Sequence, residues 1–258
     1  MIMKKILAVC LGLICGLSIC FGQEFQVPQA PKAQDEVWVL CIGNSFTYFF
    51  HSDQMLCEIA ESQGLHIKIG KYLKGGQTFG QHMGIEESRK ARQVRGYDYA
   101  FLQDQSVNPA RLARDKNEAV LTDYIKLKDE VLEYSPDCKI FLERTWGYPG
   151  HKAGDFGTWL ELDKYLKKGT AKMARKGHSK ISPIGEAFKR AIWERPDIAM
   201  FGPDGKHQSR EGSYLKACVN YLMITGKAFA GEVPSCEVNP EKAAALRAIA
   251  EKTVLGNC

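Results

Sequence analysis

The chain has 258 residues, of which 45% are hydrophobic and 25% charged, and its formal net charge is +5. This composition fits one sizeable globular domain with an ordinary core, and it excludes an intrinsically disordered, collagen-like or disulfide-dense small protein. The 24 glycines and 10 prolines are scattered along the sequence, which argues against a coiled coil. The lysines and arginines form no concentrated basic stripe, so no nucleic-acid partner is expected.

The first 22 residues predict a secretory signal peptide. Two lysines precede an apolar run at residues 6–21, and this run is followed by small residues and a polar segment. The run is about 16 residues long and a membrane-spanning helix needs roughly 20, so we expect cleavage after Gly22 and no membrane span in the mature chain. Lipid attachment at Cys20 is one alternative, although Ile19 is bulky where lipoprotein signals have a small residue, and an uncleaved anchor is another. The sequence thus predicts an exported protein, periplasmic or secreted.

Beyond this segment, predicted strands alternate with predicted helices. Residues 23–35 are rich in proline and glutamine and predict an extended leader, followed by a single domain over residues 36–258. The near-continuous apolar run at 36–42 is typical of a strand covered on both faces. Further strands are predicted at 65–73, 97–103, 139–142 and 180–184. Helices are predicted at 52–64, 116–134, 158–176, 211–225 and 240–252, and one more runs from the end of the fifth strand to residue 193. This alternation predicts a three-layer α/β/α sandwich with about five mostly parallel strands.

The first candidate site lies directly after the first predicted strand, at the sheet edge where such folds collect their chemistry. The segment 43–47 reads Gly-Asn-Ser-Phe-Thr, and Ser45 is expected on the turn into a helix. Backbone amides at such a turn can stabilise the oxyanion that a nucleophilic serine generates. A capping or turn serine is the alternative interpretation. The GxSxG motif of α/β-hydrolases is absent, so any hydrolase would belong to another class.

Two further segments carry groups that would complete such a site. Asp204 precedes His207 by three residues in a loop near the C-terminus, where the histidine could accept the serine proton and the carboxylate could orient its ring. The pair Gly75-Gly76 follows the second strand, and the N–H of Gly76 is a candidate oxyanion donor. A solvated turn is the alternative for the first of these segments, and a plain turn is the alternative for the glycine pair. Side-chain amides follow the third strand, at Gln103 and Gln105.

These segments together resemble the SGNH (GDSL-like) hydrolase superfamily over about residues 37–221. Within it, the chain is similar to a poorly characterised branch of exported bacterial proteins, on the motifs IGNSFT, KGGQTF, FLQDQS, TWGYP, SPIGEAF and DGKHQSREGSYLKA. The resemblance implies a flavodoxin-like α/β/α fold. It also implies a catalytic triad of Ser45, His207 and Asp204, with oxyanion donors from the backbone of Ser45 and Gly76.

The third motif departs from the superfamily pattern. Where the superfamily has Gly-x-Asn-Asp, this chain has Gln-Asp-Gln-Ser at 103–106, so Gln105 occupies the position of the oxyanion asparagine. Either Gln105 or Gln103 is expected to donate instead. Substrate-pocket candidates are Asn44 and the aromatic residues Trp146 and Tyr148, which would stack on a sugar or an acyl group or else pack the loop.

The function implied by this resemblance is a serine esterase that removes an O-acetyl or other short acyl group from a carbohydrate through an acyl-enzyme. Such chemistry needs neither a metal nor an organic cofactor, and the sequence has no CxxC or clustered Cys/His spacing of the kind that binds zinc. Two alternatives stay open: a weakly active or inactive carbohydrate-binding protein of the same fold, and a lipase or thioesterase acting on longer acyl groups.

Overall fold

A computed structural model describes residues 23–148 and 156–256, so the predicted signal peptide lies outside the described residues. Six strands form one sheet in the order β1-β3-β2-β4-β5-β6. All neighbours pair in parallel except β1, which is antiparallel to β3. The strands are β1 (Gln23–Gln26), β2 (Glu36–Gly43), β3 (His66–Lys74), β4 (Tyr99–Leu102), β5 (Lys139–Glu143) and β6 (Lys180–Ser182).

The five parallel strands have the flavodoxin-like order, because the second of them lies on one side of the first and the remaining three lie on the other. The strand β2 is therefore central, with Gly43 opposite Leu73 of β3 and Ile42 opposite Leu102 of β4. Its apolar run is continuous because both faces are covered, as alternate side chains enter two different cores. The predicted fold class is confirmed.

Helices cover both faces of the sheet. They are α1 (Ser45–Tyr48), α2 (Ser52–Ser62), α3 (Phe79–Met83), α4 (Glu86–Arg92), α5 (Asn108–Arg114), α6 (Glu118–Tyr134), α7 (Trp159–Gly177), α8 (Ile184–Glu194), α9 (Arg210–Thr225) and α10 (Pro240–Val254), with a 3-10 turn at Phe49–His51. One layer contains α2, α8, α9 and α10, and the other contains α3, α4 and α6. None of the helices within the described ranges is both long enough and apolar enough to cross a membrane.

Two parts of the fold differ from the sequence prediction. The start of the predicted leader is a strand, since Gln23–Gln26 pairs with residues 71–74 of β3. The short helices α1, α3, α4 and α5 were not predicted, because segments of four to seven residues are too short to show a helical period. Three of them follow the ends of β2, β3 and β4, and they shape the edge of the sheet that carries the candidate site.

Candidate active site

The predicted nucleophile lies at the point where the strand order of the parallel sheet reverses. The chain leaves β2 at Gly43 and enters α1 at Ser45, between the carboxyl ends of β3 and β4. In open parallel sheets this switch point is the usual place for a binding crevice, because the loops on its two sides diverge. Ser45 is 8% exposed, so the protein shields most of it from solvent.

Asn44 connects the three loops that meet at this point. Its Oδ1 accepts a hydrogen bond from the N–H of Phe46 at 3.1 Å, which caps α1. Its Nδ2 donates to the carbonyl oxygens of Gln77 (3.1 Å) and Asp104 (3.4 Å), in the loops after β3 and β4. The side chain is 2% exposed and its polar groups are all engaged. Asn44 therefore holds the loops together, and its side-chain amide is occupied by these contacts.

The structure brings Ser45, His207 and Asp204 into one hydrogen-bonded chain. The Nε2 of His207 lies 2.8 Å from Ser45 Oγ, and its Nδ1 lies 2.5 Å from Asp204 Oδ2. The other carboxylate oxygen of Asp204 accepts hydrogen bonds from the backbone N–H groups of Lys206 (3.0 Å) and His207 (2.9 Å). Burial alone would raise the pKa of Asp204, but these hydrogen bonds outweigh it and hold the pKa below its usual value. The carboxylate is thus ionised around neutral pH and faces the imidazole.

Aromatic rings hold the imidazole of His207 from two sides. The ring of Phe49 stacks on it at 4.3 Å between centroids, and the ring of Phe46 meets it edge-on at 5.4 Å. On its other side, Phe46 stacks on Trp146 at 4.4 Å. The indole N–H of Trp146 donates to the carbonyl of Lys206, next to the histidine, at 3.0 Å. This packing fixes both the ring and its loop against the body of the protein.

The two aromatic residues predicted to line the substrate pocket belong to this packing. Trp146 and Tyr148 are each 1% exposed. The hydroxyl of Tyr148 forms a hydrogen bond with Ser106 Oγ at 3.0 Å, and its ring lies edge-on to Phe46 at 6.1 Å. Of the two interpretations that the sequence leaves open for these residues, the structure favours packing of the loop over stacking on a sugar or an acyl group. Their aromatic bodies are needed under the histidine loop, where apolar area is removed from water.

The two glutamines after β4 have different surroundings. Gln103 is fully buried, and its Oε1 accepts from Asn44 N–H (3.0 Å) and Thr47 Oγ1 (3.2 Å), while its Nε2 donates to the carbonyl of Asp104. Both ends of the Gln103 amide have protein partners, so Gln103 supports the nucleophile turn, and of the two candidate oxyanion donors it is the more fully engaged. Gln105 is half-buried, and its Oε1 accepts from Val107 N–H at 3.0 Å. No described residue accepts a hydrogen bond from its Nε2, which stays available as a donor.

Gly76 lies in the turn that follows β3. Its φ of +71° is a left-handed conformation that glycine adopts without strain, and the turn closes through Gln77 N–H and the carbonyl of Lys74 at 3.3 Å. Within the described residues, nothing accepts a hydrogen bond from the N–H of Gly76. Because Asn44 is bonded to the neighbouring Gln77, this turn lies against the start of α1.

Asp104 ties the two loops that carry the candidate donors. Its Oδ1 accepts hydrogen bonds from the N–H of Phe79 (2.9 Å), from the N–H of Gln105 (2.8 Å) and from Asn108 Nδ2 (3.3 Å). Burial raises the pKa of its carboxyl group to about 7, against the lowering effect of these hydrogen bonds. One carboxyl oxygen thus orders the start of α3 and the position of Gln105 together.

A buried ion pair between Lys216 and Glu143 supports α1. Lys216 of α9 places its Nζ 2.6 Å from Glu143 Oε2, at the end of β5, and both side chains are 2% exposed. The same ammonium donates to the carbonyl of Phe46 (3.0 Å) and to Thr47 Oγ1 (2.9 Å). Asn220 Nδ2 donates to the second oxygen of Glu143 at 2.9 Å. The sequence prediction missed this lysine, because a lysine in an amphipathic helix is expected to face solvent.

Comparison with known proteins rests on structure alone, since neither a protein-family model nor a curated protein sequence matches the chain. A DUF4886 family protein from Bacteroides uniformis superposes with a TM-score of 0.69 at 22% identity, over 86% of this chain and 95% of that one. A candidate SGNH hydrolase from Slackia heliotrinireducens gives 0.59 at 18% identity, over 73% and 99%.

A third solved structure with the same architecture is a single-residue variant of Axe2, an acetyl xylan esterase from Geobacillus stearothermophilus. It superposes with a TM-score of 0.54 at 16% identity, over 76% of this chain and 97% of that one. These likenesses cover most of the described chain and most of each relative. They confirm that the chain has the fold of the SGNH (GDSL-like) superfamily.

Proposed function

We propose that this chain is a serine ester hydrolase of the SGNH type, with Ser45 as nucleophile, His207 as general base and Asp204 as its partner. The observation that carries the proposal is the pair of contacts made by the His207 ring, 2.8 Å to the hydroxyl and 2.5 Å to the carboxylate. The serine and the histidine are 162 residues apart in sequence, and they meet at the edge of the sheet where the strand order reverses. A serine hydroxyl that only caps or turns the chain needs no such partner.

The proposed reaction has two acyl-transfer steps. His207 Nε2 takes the proton of Ser45 Oγ as that oxygen attacks the ester carbonyl, and the ionised Asp204 stabilises the imidazolium through Nδ1. His207 then returns the proton to the departing alcohol, which leaves an acyl group on Ser45. A water molecule is activated by the same imidazole and releases the carboxylic acid. The stacked ring of Phe49 keeps the imidazole in the orientation that both steps require.

The oxyanion is proposed to be held by three neutral donors: the N–H of Ser45, the N–H of Gly76 and the Nε2 of Gln105. Support comes from the absence of competing partners for these groups among the described residues. It also comes from the bonds of Asn44 and Asp104, which order the loops carrying Gly76 and Gln105. Donors fixed in advance cost little reorganisation when charge develops on the carbonyl oxygen.

The proposed substrate class is a carbohydrate that carries an O-acetyl or other short acyl group. The support is the fold shared with an acetyl xylan esterase and the predicted export of the chain, which would place it among extracellular or periplasmic glycans. Residues 1–22 lie outside the described part of the chain, so the signal peptide stays a prediction, as do the periplasmic or secreted location and the alternative of lipid attachment at Cys20.

A serine-directed fluorophosphonate tests the proposed function. The purified protein is expected to form a covalent adduct on Ser45, because a serine paired with an imidazole attacks phosphorus as it attacks a carbonyl carbon. Intact-mass measurement and peptide mapping would locate the adduct. Absence of labelling would support the alternative of an inactive carbohydrate-binding protein. Two results would distinguish the proposed substrate class from lipase or thioesterase activity. Aryl acetates should be hydrolysed faster than long-chain aryl esters, and acetylated glycans should release acetate.

The replacement Gln105→Ala tests the third oxyanion donor, and it is expected to lower kcat for an acetyl ester by about 10²–10³-fold, since one oxyanion hydrogen bond contributes that much. Gln105→Glu is the matched variant, because it keeps the oxygen that accepts from Val107 N–H and removes the donor. Steady-state kinetics of both variants should show the loss in kcat. A Gln105→Glu protein with unchanged kcat would contradict this assignment.

A further inference from the structure

Three potential metal ligands lie together outside the candidate active site. One oxygen of Glu24, one oxygen of Asp53 and one ring nitrogen of His51 are all within 4.8 Å of one another. They come from β1, from the first turn of α2 and from the 3-10 turn between α1 and α2. The Nδ1 of His51 lies 3.8 Å from Glu24 Oε1. Two atoms bound to one first-row metal ion at about 2.1 Å can be at most about 4.2 Å apart. The three atoms would therefore need to move only slightly closer together to bind the same ion.

The carboxylates of Glu24 and Asp53 already share one cation. Lys71 of β3 places its Nζ 2.6 Å from Glu24 Oε2 and 2.6 Å from Asp53 Oδ2. The remaining oxygens are Glu24 Oε1 and Asp53 Oδ1. Two carboxylates against one ammonium leave the cluster with a net charge of −1 when His51 is neutral. The cluster thus keeps a negative charge and one free oxygen on each acid.

Asp53 Oδ1 is the second observation that indicates a ligand. The Asp53 side chain is 3% exposed, and its Oδ1 is buried without a hydrogen-bond partner. A buried carboxylate oxygen without a partner costs free energy, and in native proteins such atoms pair with protein groups, ordered water or an ion. The His51 side chain is 60% exposed, so this member of the cluster is in contact with solvent.

The backbone at this point holds His51 in an uncommon conformation. Phe50 and His51 have φ values of 53° and 54°, in the left-handed region that residues with a Cβ rarely occupy. The same turn begins with Phe49, the ring that stacks on His207. Any group that fixes His51 therefore also fixes the support of the proposed general base.

We propose that Glu24, His51 and Asp53 form a binding site for a divalent first-row metal ion, with Zn²⁺ as the expected occupant. One imidazole and two carboxylates are ligands that Zn²⁺ accepts, and in this series it binds N/O sites more tightly than Mn²⁺ or Fe²⁺. Water would complete the coordination on the open side. The ion is given no part in the ester chemistry; it ties the edge strand β1 to the turn that carries Phe49.

Calorimetric titration of the metal-free protein with ZnCl₂ tests the site. One saturable site is expected, together with a rise in the unfolding temperature on zinc addition, because an ion that binds only the native state stabilises it. His51→Gly should weaken zinc binding at least tenfold and abolish the rise. Glycine suits the left-handed backbone at this position and the side chain is exposed, so the variant should keep the fold.

His178→Gly is the matched control. His178 is also an exposed histidine with a positive φ, of 52°, at the end of α7, and it is not part of the cluster. Its replacement should leave zinc binding unchanged. The proposal is overturned if zinc shows no saturable binding below about 1 mM, or if His51→Gly binds it as tightly as the unmodified protein. Neither readout uses an ester, so this result is independent of the proposed hydrolase activity.

Discussion

Replacing Ser45 by alanine is expected to lower kcat for short acyl esters by about 10⁴-fold or more while the protein stays folded. The hydroxyl is the group at the proposed reaction centre that would form the acyl-enzyme, and its 2.8 Å contact with His207 Nε2 provides the base that activates it. Removing a single oxygen atom opens little space, so the replacement should cost little stability. Initial rates with an aryl acetate, and circular dichroism of the same samples, give both quantities.

Ser62→Ala is a suitable control for this measurement. Ser62 is an exposed serine at the end of α2, whose hydroxyl donates to the carbonyl of Ile59 of the same helix at 2.7 Å. Its replacement should leave kcat within about twofold of the unmodified protein. Ester hydrolysis that survives in Ser45→Ala at the unmodified rate would reject both the nucleophile and the proposed mechanism.

Lys216→Met is expected to destabilise the protein by about 3–5 kcal/mol, because it leaves the carboxylate of Glu143 buried without its cation. The ammonium also donates to the Phe46 carbonyl and to Thr47 Oγ1, so its loss leaves the last turn of α1 without these bonds. Equilibrium unfolding in urea measures the change in the free energy of unfolding. Glu143→Gln should give a loss of similar size.

The double variant Lys216→Met with Glu143→Gln should recover much of this loss, since no unpaired charge is then buried. A surface pair provides the control: Lys172 and Glu118 are 32% and 57% exposed, and Lys172→Met should cost less than about 1 kcal/mol. Equal small effects at both lysines would contradict the conclusion that the buried pair holds the nucleophile turn.

The sheet was predictable from sequence because its strands carry the pattern that burial on two faces demands. The run at 36–42 is continuously apolar, and the helix at 116–134 shows a clear helical period, so both agree with the structure to within two residues. The strand β1 reads Gln-Glu-Phe-Gln and has no buried face. It is a strand because β3 offers a free edge, which is a property of the sheet and not of the segment.

The triad candidates were predictable for a different reason, since each lies in a short motif at the end of a strand or the start of a helix. The supporting residues were not. Gln103 carries the same side-chain amide as Gln105, and only the fold decides that one is buried among acceptors and donors while the other keeps a free N–H. Trp146 looks like an exposed platform in sequence, but α8 supplies Phe188, whose ring stacks on it at 4.2 Å and closes it off from solvent.

The antiparallel strand β1 has a practical consequence for handling this molecule. A shortened chain that begins at Glu36, the domain boundary expected from sequence, would leave residues 71–74 of β3 with an unpaired row of amides and carbonyls. Such a row is a template on which a second molecule can add its own strand, and it promotes self-association. Recombinant versions for crystallisation should therefore retain the residues from Gln23 onward.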